Sequence, residues 1–340
     1  MTIRYLSTLR YSTEWLASLR ASAPGLEVQQ ITADKAADIP DEVWAQVDVL
    51  HTSTVFPEPA TAPRLRWVQL DTSGIDHVRE SPLWASAVQI TTIGGISPVP
   101  LAEYVMFGVL GLAHRLPAML DVQATRTWPS PSLRWDRFLP ARIDGATMVI
   151  LGYGRLGREI GRLAQAHGMT VVGVTRTARL RTPDERALLA DFGRPAEGFG
   201  DVEVVGPERL HEALGRADYL VVVLPLTAET RGVVGPEAMA ALKPGAYVVN
   251  AARGGIVDEP ALLAALRSGA VAGAQLDVFD DEPLPPDSPW WSEPHAFVTP
   301  HVAGLAPRYH EQVLDIVVGN LRRYADGAPL RNLVDRVLGY

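Results

Sequence analysis

Met148-Val149-Ile150-Leu151-Gly152-Tyr153-Gly154-Arg155-Leu156-Gly157 carries an apolar run directly into the pattern G-x-G-x-x-G, and residues 158–167 continue with helical periodicity. Strand, glycine turn and helix in that order form the phosphate-binding corner of a dinucleotide fold. Gly152 permits the tight turn, Gly154 lets the backbone approach a pyrophosphate, and Gly157 lets the helix lie close on the strand with its first amides toward the phosphates. Tyr153, Arg155 and Leu156 complete the turn and are counted with it as cofactor contacts. The flanking strand and helix are what raise this pattern above a chance glycine-rich turn.

The next strand, Thr170 to Val174, ends in Thr175-Arg176-Thr177. NAD-binding folds place an acidic side chain about 20 positions beyond the glycines to hold the ribose hydroxyls. No carboxylate stands here, whereas Arg176 is able to pair with a 2′-phosphate and Thr175 or Thr177 to hydrogen-bond to it. NADP is therefore favoured over NAD; the alternative is that Arg176 and Arg179 are solvated loop charges and both cofactors are tolerated.

Outward from this corner, apolar runs at Tyr219 to Leu224, Ala246 to Asn250, Val271 to Asp277 and Phe297 to Thr299 continue the strand series, with helical stretches between them. Ahead of it, Ile3 to Leu6, Val47 to Leu50, Leu65 to Gln69 and Val88 to Thr91 read as a second set of buried strands. Both blocks predict parallel α/β sheets. Between them, Ile96-Ser97-Pro98-Val99-Pro100 is expected to break regular structure and act as a hinge before a buried helix over Leu101 to Leu116. Two stretches read as irregular: Thr125 to Pro140, and the surface excursion Arg176 to Gly206, in which Thr182 and Glu185 form a capping-box pattern ahead of a short helix. The amphipathic segment Pro307 to Tyr324 is free, by pattern alone, to pack on either block.

The bulk properties agree with a folded, two-domain chain. Its 340 residues exceed one ordinary core, and 47% hydrophobic with 21% charged residues is a globular mixture. A net charge of −8 disfavours nucleic acid and anionic membrane surfaces as partners. With no cysteine, disulfides, thiolate metal sites and cysteine nucleophiles are excluded, and no metal is expected, so redox chemistry must come from a bound cofactor. Neither a signal-like N-terminus nor an apolar run of about 18 residues is present, which makes a cytoplasmic location the default expectation.

Three fragments place a polar residue just beyond an apolar strand: Val249-Asn250-Ala251-Ala252-Arg253-Gly254, Leu276-Asp277-Val278-Phe279-Asp280-Asp281-Glu282-Pro283-Leu284, and Thr299-Pro300-His301-Val302-Ala303-Gly304. Ligands of doubly wound sheets bind at the carboxyl ends of the strands, so all three are able to face one cofactor. Reducing a 2-oxo acid there requires a cation for the carboxylate and ketone oxygen, a proton donor for the developing alkoxide, and a partner for that donor. Arg253, His301 and Glu282 match these needs in turn, the glutamate orienting the ring and favouring the imidazolium. Singly, each has an ordinary explanation: a loop charge at a helix start, a solvated acid in the run Asp280 to Glu282, a satisfied turn histidine. Their joint occurrence behind a dinucleotide turn singles them out.

With these motifs the chain resembles the D-isomer-specific 2-hydroxyacid dehydrogenases, the family of glyoxylate/hydroxypyruvate reductases, D-lactate and D-phosphoglycerate dehydrogenases. The resemblance runs from Leu65-Arg66-Trp67-Val68-Gln69 to the C-terminal helix. It rests chiefly on Gly152 to Gly157, Leu224-Pro225-Leu226-Thr227 with Thr230, Asn250 to Gly254, Asp277 to Pro283, and Thr299 to Gly304. It implies that Arg253, Glu282 and His301 are catalytic and that Asp277 and the backbone near Ala251 hold the nicotinamide end, with Leu224, Pro225 and Thr230 also at the cofactor. It implies further that the amides around Ser73 and Gly74, in Asp71-Thr72-Ser73-Gly74-Ile75-Asp76, bind the substrate carboxylate, and that Phe56 lies near the substrate's side chain.

The resemblance also implies the architecture. A Rossmann nucleotide-binding domain, residues 98–303, is inserted in a flavodoxin-like substrate-binding domain, residues 1–97 and 304–340, both doubly wound, with closure at the hinge excluding water. Relatives are usually homodimers with the segment around Leu101 to Leu116 at the interface. Three features depart from the family: Thr175 in place of the acid common in NAD-using members, a longer excursion after Arg176, and His114 where arginine is frequent. Two other readings share this scaffold, a phosphite- or formate-type oxidase and a nucleotide-sensing corepressor-like protein. Glutamate rather than glutamine at position 282 argues against the formate version.

Overall fold

The computed structural model describes residues 2–96, 98–177 and 202–339. The chain divides into two compact units, one of residues 1–96 and 306–340, the other of residues 97–305.

The first unit is built on a five-stranded parallel sheet: β1 (Ile3–Ser7), β2 (Leu26–Gln30), β3 (Val49–Thr52), β4 (Trp67–Leu70) and β5 (Gln89–Thr91), in the order β2-β1-β3-β4-β5. This is the flavodoxin-like order, with its crossover point between β1 and β3. Side chains alternate across the sheet: Leu6, Leu50 and Val68 enter one core, while Tyr5, Val49 and Trp67 enter the other. The helix Tyr309–Ala325 completes the second core with Val313, Val317 and Leu321, spaced four apart on one face. Asn320 on the same helix is fully buried and satisfied: its Nδ2 donates to Gln69 Oε1 (3.3 Å) and Arg331 O (3.1 Å), and its Oδ1 accepts from Arg331 N (2.8 Å).

The second unit holds β6 (Thr147–Leu151), β7 (Thr170–Val174), β8 (Glu203–Val205), β9 (Tyr219–Val222), β10 (Ala246–Asn250), β11 (Val271–Leu276) and β12 (Ala296–Val298). All pair in parallel, in the order β12-β11-β10-β9-β6-β7-β8. The order reverses between β6 and β9, the dinucleotide-binding topology. Met148 and Ile150 point into one core, Val149 and Leu151 into the other, so both faces are covered and the strands read as unbroken apolar runs. Each fully buried side chain of this kind contributes about 1.5–3 kcal/mol.

Several local expectations change. The prolines at 98 and 100 do not precede the helix but begin it: Pro98–Ala113 is helical, and a first turn needs no intrahelical N–H donors. It stops at Arg115, whose φ is 61°, and a second helix, Leu116–Thr125, follows. The tryptophan- and proline-rich stretch contains a helix of its own, Pro131–Phe138, capped by the Ser130 hydroxyl accepting from Leu133 N. β2 and β8 are edge strands without a continuous apolar run, which is why the pattern does not reveal them. The Thr182–Glu185 capping pattern lies outside the described residues. Among those described, no single helix is long and apolar enough to cross a membrane.

Candidate active site

Because every strand of the second unit is parallel, all carboxyl ends lie on one sheet edge, and the motif residues follow those ends. After β6, Gly152 adopts φ +98°, and a Cβ there would sit 2.8 Å from Leu224 N, so the glycine turn and the loop after β9 touch. Gly157 is equally constrained: its Cβ would approach Gly152 O to 2.5 Å. A Cβ on Gly154, by contrast, meets nothing within 4 Å, which leaves that face of the turn open. Tyr153 turns its ring inward against Gly161 and Gly173, and burial pushes its phenol up to about 12. Arg155 opens the helix Arg155–Ala166, and among the described residues the amides of Leu156 and Gly157 donate to no protein acceptor. An open turn before unpaired helix amides suits a phosphate group.

At the end of β7, Thr175 N donates to Val205 O (3.0 Å), while its buried hydroxyl has no hydrogen-bond partner among the described residues. Arg176 and Thr177 beside it are exposed. Beyond β9, Thr230 Oγ1 donates to Pro225 O (2.7 Å) and accepts from Thr227 N (2.7 Å), closing the loop that starts at Leu224. These features fit a dinucleotide: an orphaned hydroxyl where a ribose or its phosphate belongs, and a cradle at the crossover point.

Asp277, just past β11, is 1% exposed and organises the neighbouring loop. Its Oδ1 accepts from Thr299 Oγ1 (2.7 Å), Val302 N (2.9 Å) and Tyr104 OH (3.3 Å), and its Oδ2 from Ala303 N (2.8 Å). A buried carboxylate is tolerable only with such donors. Tyr104 also bonds to Thr299 Oγ1; burial raises its phenol above the ordinary value, so it remains a donor. The same loop places His301 at φ 52°, a left-handed conformation costing about 1–3 kcal/mol outside glycine. His301 N is held there by Asp277 O (2.9 Å) and Thr299 O (3.1 Å).

That backbone presents the His301 ring to Glu282. Nδ1 lies 2.7 Å from Glu282 Oε2, while Glu282 Oε1 accepts from Phe279 N (2.9 Å). Both side chains keep partial solvent access, 47% for His301 and 34% for Glu282. Asp280 N donates to Glu259 Oε1 (2.6 Å), and Glu259 Oε2 accepts from Trp290 Nε1 (2.8 Å), so the backbone of the exposed acidic run is tied down at Asp280. Arg253 follows β10 behind buried Ala251; its Nη1 donates to Ala252 O (2.7 Å). The adjacent Gly254 touches the loop of Glu282: a Cβ there would lie 2.0 Å from Phe279 O.

In the first unit, the turn after β4 is stiffened by Thr72 Oγ1 donating to Gly74 O (2.8 Å). Among the described residues the amides of Ser73 and Gly74 have no protein acceptor, and Ser73 is exposed. The Phe56 ring lies against that of His77, centroids 6.0 Å apart, close in sequence to this turn. Sequence reading singles out neither Tyr104 nor Glu259: the first hides in an apolar helix, where a lone phenol was the available signal, and the second sits in an ordinary helix start. His114 is exposed at the end of its helix.

The described geometry is matched by known proteins. Residues 106–303 fit the family model for the NAD binding domain of D-isomer specific 2-hydroxyacid dehydrogenases. An (S)-sulfolactate dehydrogenase from Chromohalobacter salexigens is 34% identical over 268 residues, 79% of this chain and 78% of the relative. A D-isomer specific 2-hydroxyacid dehydrogenase from Xanthobacter autotrophicus Py2, solved with NADPH and MES, superposes with a TM-score of 0.77 at 32% identity over 100% of this chain and 99% of that one. The NADPH-dependent glyoxylate/hydroxypyruvate reductase of Sinorhizobium meliloti, solved with NADP and sulfate, gives 0.77 at 29% identity over 100% of both chains. With the family model covering more than half of the sequence, and whole-chain likeness extending it over both units, this chain belongs to the D-isomer specific 2-hydroxyacid dehydrogenases, NAD(P)-dependent oxidoreductases acting on a CH–OH group.

Proposed function

We propose that the protein interconverts a small 2-oxo acid and its D-2-hydroxy acid, with NADP(H) preferred over NAD(H) and glyoxylate or hydroxypyruvate as the leading substrates. The observation that carries this reading is the His301–Glu282 contact of 2.7 Å at the sheet edge that also bears the glycine turn. When bound, the nicotinamide supplies or accepts the hydride. His301 Nε2 delivers the proton to the developing alkoxide, or removes it in the oxidative direction, while Glu282 on Nδ1 fixes the tautomer and balances the imidazolium charge. Arg253 pairs with the substrate carboxylate and polarises the ketone oxygen. In the first unit, the Ser73 and Gly74 amides, which have no protein acceptor among the described residues, are the proposed carboxylate donors, and Phe56 bounds the substrate's side chain.

For the cofactor, the glycine turn and the amides of Leu156 and Gly157 take the pyrophosphate. Leu224, Pro225 and Thr230 line its path, and the Ala251 backbone with Asp277 braces the nicotinamide end. Thr175, Arg176 and Thr177 recognise the 2′-phosphate. The two structural neighbours cited above were solved with NADPH and NADP, which supports that preference. A homodimer is proposed as well. Trp128 (86% exposed) and Trp135 (72%), with Leu133 and Leu139, expose large apolar side chains along residues 128–139, and clustered exposed apolar side chains mark interaction surfaces.

A panel of 2-oxo acids assayed with NADPH and with NADH tests this function directly. Oxidation of NADPH by glyoxylate or hydroxypyruvate is expected; absence of turnover with every acid refutes the reading.

A further inference from the structure

The first unit contains a buried polar network with no place in the chemistry above. Tyr5 OH lies 2.6 Å from His51 Nδ1, and His51 is fully enclosed. On the other side of that ring, His51 Nε2 is 3.5 Å from Asp71 Oδ1 and 3.4 Å from Tyr11 OH, and Tyr11 OH donates to the same Asp71 oxygen at 3.0 Å. Tyr11 is itself fixed by stacking on Trp15, with centroids 3.7 Å apart and planes 7° from parallel. The backbone of Asp71 is gripped too: its N–H donates to Thr52 O (3.1 Å), and its carbonyl accepts from Tyr309 OH (3.2 Å).

Asp71, just past β4, is thus held through side chain, amide and carbonyl by residues from the ends of β1 and β3 and from the C-terminal helix. A hydrophobic filling of the same volume would stabilise the core at least as well, since enclosed polar groups gain little net free energy. What such a network supplies is position. Asp71 is the first residue of the turn that runs through Thr72 to Ser73 and Gly74, and Thr72 O is anchored in turn by Ile93 N (3.2 Å). The network also lies at the carboxyl ends of β1 and β3, the crossover point where doubly wound sheets bind ligands.

We propose that Tyr11 and His51 are positioning residues for substrate: acting through Asp71, they hold the 71–74 turn so that the Ser73 and Gly74 amides stay preorganised for the substrate carboxylate. The assignment rests on the reading of those amides in the proposed function. Donors aligned in advance lose no free energy to reorganisation on binding, so loosening the turn weakens carboxylate binding and leaves the hydride and proton steps in the other unit intact.

Tyr11→Phe removes one hydroxyl and keeps the stack on Trp15; Asp71→Ala removes the acceptor. In NADPH-loaded enzyme, each variant is expected to raise the Kd of oxamate, measured by calorimetry, and the KM for glyoxylate about five- to tenfold, the scale of one hydrogen bond. The kcat at saturating glyoxylate and the Kd for NADPH are expected to stay within about twofold of wild type, and the double variant to be no worse than the more affected single one. Asp71→Asn, which keeps an acceptor for Tyr11, should restore most of the affinity lost in Asp71→Ala. Unchanged KM and oxamate Kd in Tyr11→Phe overturn the proposal even if Asp71→Ala fails to fold, and so does a wild type that binds no oxamate. A wild type that binds oxamate but reduces no 2-oxo acid overturns the proposed reaction alone, because the binding ratio between wild type and Tyr11→Phe still decides the positioning role.

Discussion

Glu282 Oε2 stands 2.7 Å from Nδ1 of His301 across 19 residues of chain, and the His301 backbone reaches that position only in a left-handed conformation, φ 52°. Two elements hold it there: the Asp277 carbonyl on His301 N, and the Asp277 carboxylate on the amides of Val302 and Ala303. Glu282 is fixed in the same way by Phe279 N. The pair is therefore preorganised before any ligand arrives.

His301→Ala is expected to lower kcat for 2-oxo acid reduction about 10²–10⁴-fold, the usual worth of a general acid, with NADPH affinity nearly unchanged. Glu282→Gln should cost on the order of 10²-fold, because glutamine has one acceptor oxygen for the two donors at Phe279 N and His301 Nδ1. Steady-state kinetics with fluorescence titration of NADPH checks both, and near wild-type turnover in His301→Ala removes it as proton donor.

Arg176→Ala should raise the KM for NADPH about ten- to hundredfold while leaving that for NADH within about twofold, as expected for loss of a charge-assisted bond to a 2′-phosphate. Equal effects on the two cofactors would place the phosphate elsewhere.

Gly157→Ala puts a methyl group 2.5 Å from Gly152 O. Backbone must shift to admit it, at about 1–3 kcal/mol, and the glycine turn is what moves. A lower Tm together with weaker binding of both cofactors is the expected result; an unaltered Tm contradicts the close packing.

Trp135→Glu places a charge on the exposed apolar stretch of residues 128–139. Sedimentation velocity is expected to show a dimer for the wild type and a shift toward monomer for the variant. A monomeric wild type at micromolar concentration would end the dimer proposal.

Asn320→Leu strips the partners from Arg331 N and leaves Gln69 short of a donor inside the first unit. A loss of about 1–3 kcal/mol in urea unfolding is expected, with kcat of the folded enzyme unaffected. No change in the unfolding midpoint would show that the buried network contributes nothing.

Much of this molecule is legible in its sequence. The strands Thr170–Val174 and Ala246–Asn250 have the bounds that their apolar runs predict, because strands covered on both faces must be continuously hydrophobic. The glycine turn is equally local, since a φ of +98° at Gly152 is a demand that only glycine meets cheaply. Edge strands β2 and β8 escape notice because polar side chains interrupt any such run, Glu27, Gln29 and Gln30 in β2 and Glu203 at the start of β8. Pro98 and Pro100 mislead because proline breaks a helix interior but suits a first turn.

Tertiary structure alone decided the rest. Residue types suggested a histidine with an acidic partner, but only the fold aims Glu282 at Nδ1 and sets His301 in its left-handed conformation through a carboxylate 24 positions upstream. The helix Tyr309–Ala325 is amphipathic wherever it packs; the complementary core of Ile3, Tyr5, Val49 and Trp67 determines where it goes. Tyr5, Tyr11, His51 and Asp71 carry no motif at all, being 20 or more residues apart except for the two tyrosines, and they meet because parallel pairing brings the carboxyl ends of β1, β3 and β4 side by side. Local periodicity reports what each segment buries, whereas contacts between distant segments depend on strand order, which no single segment encodes.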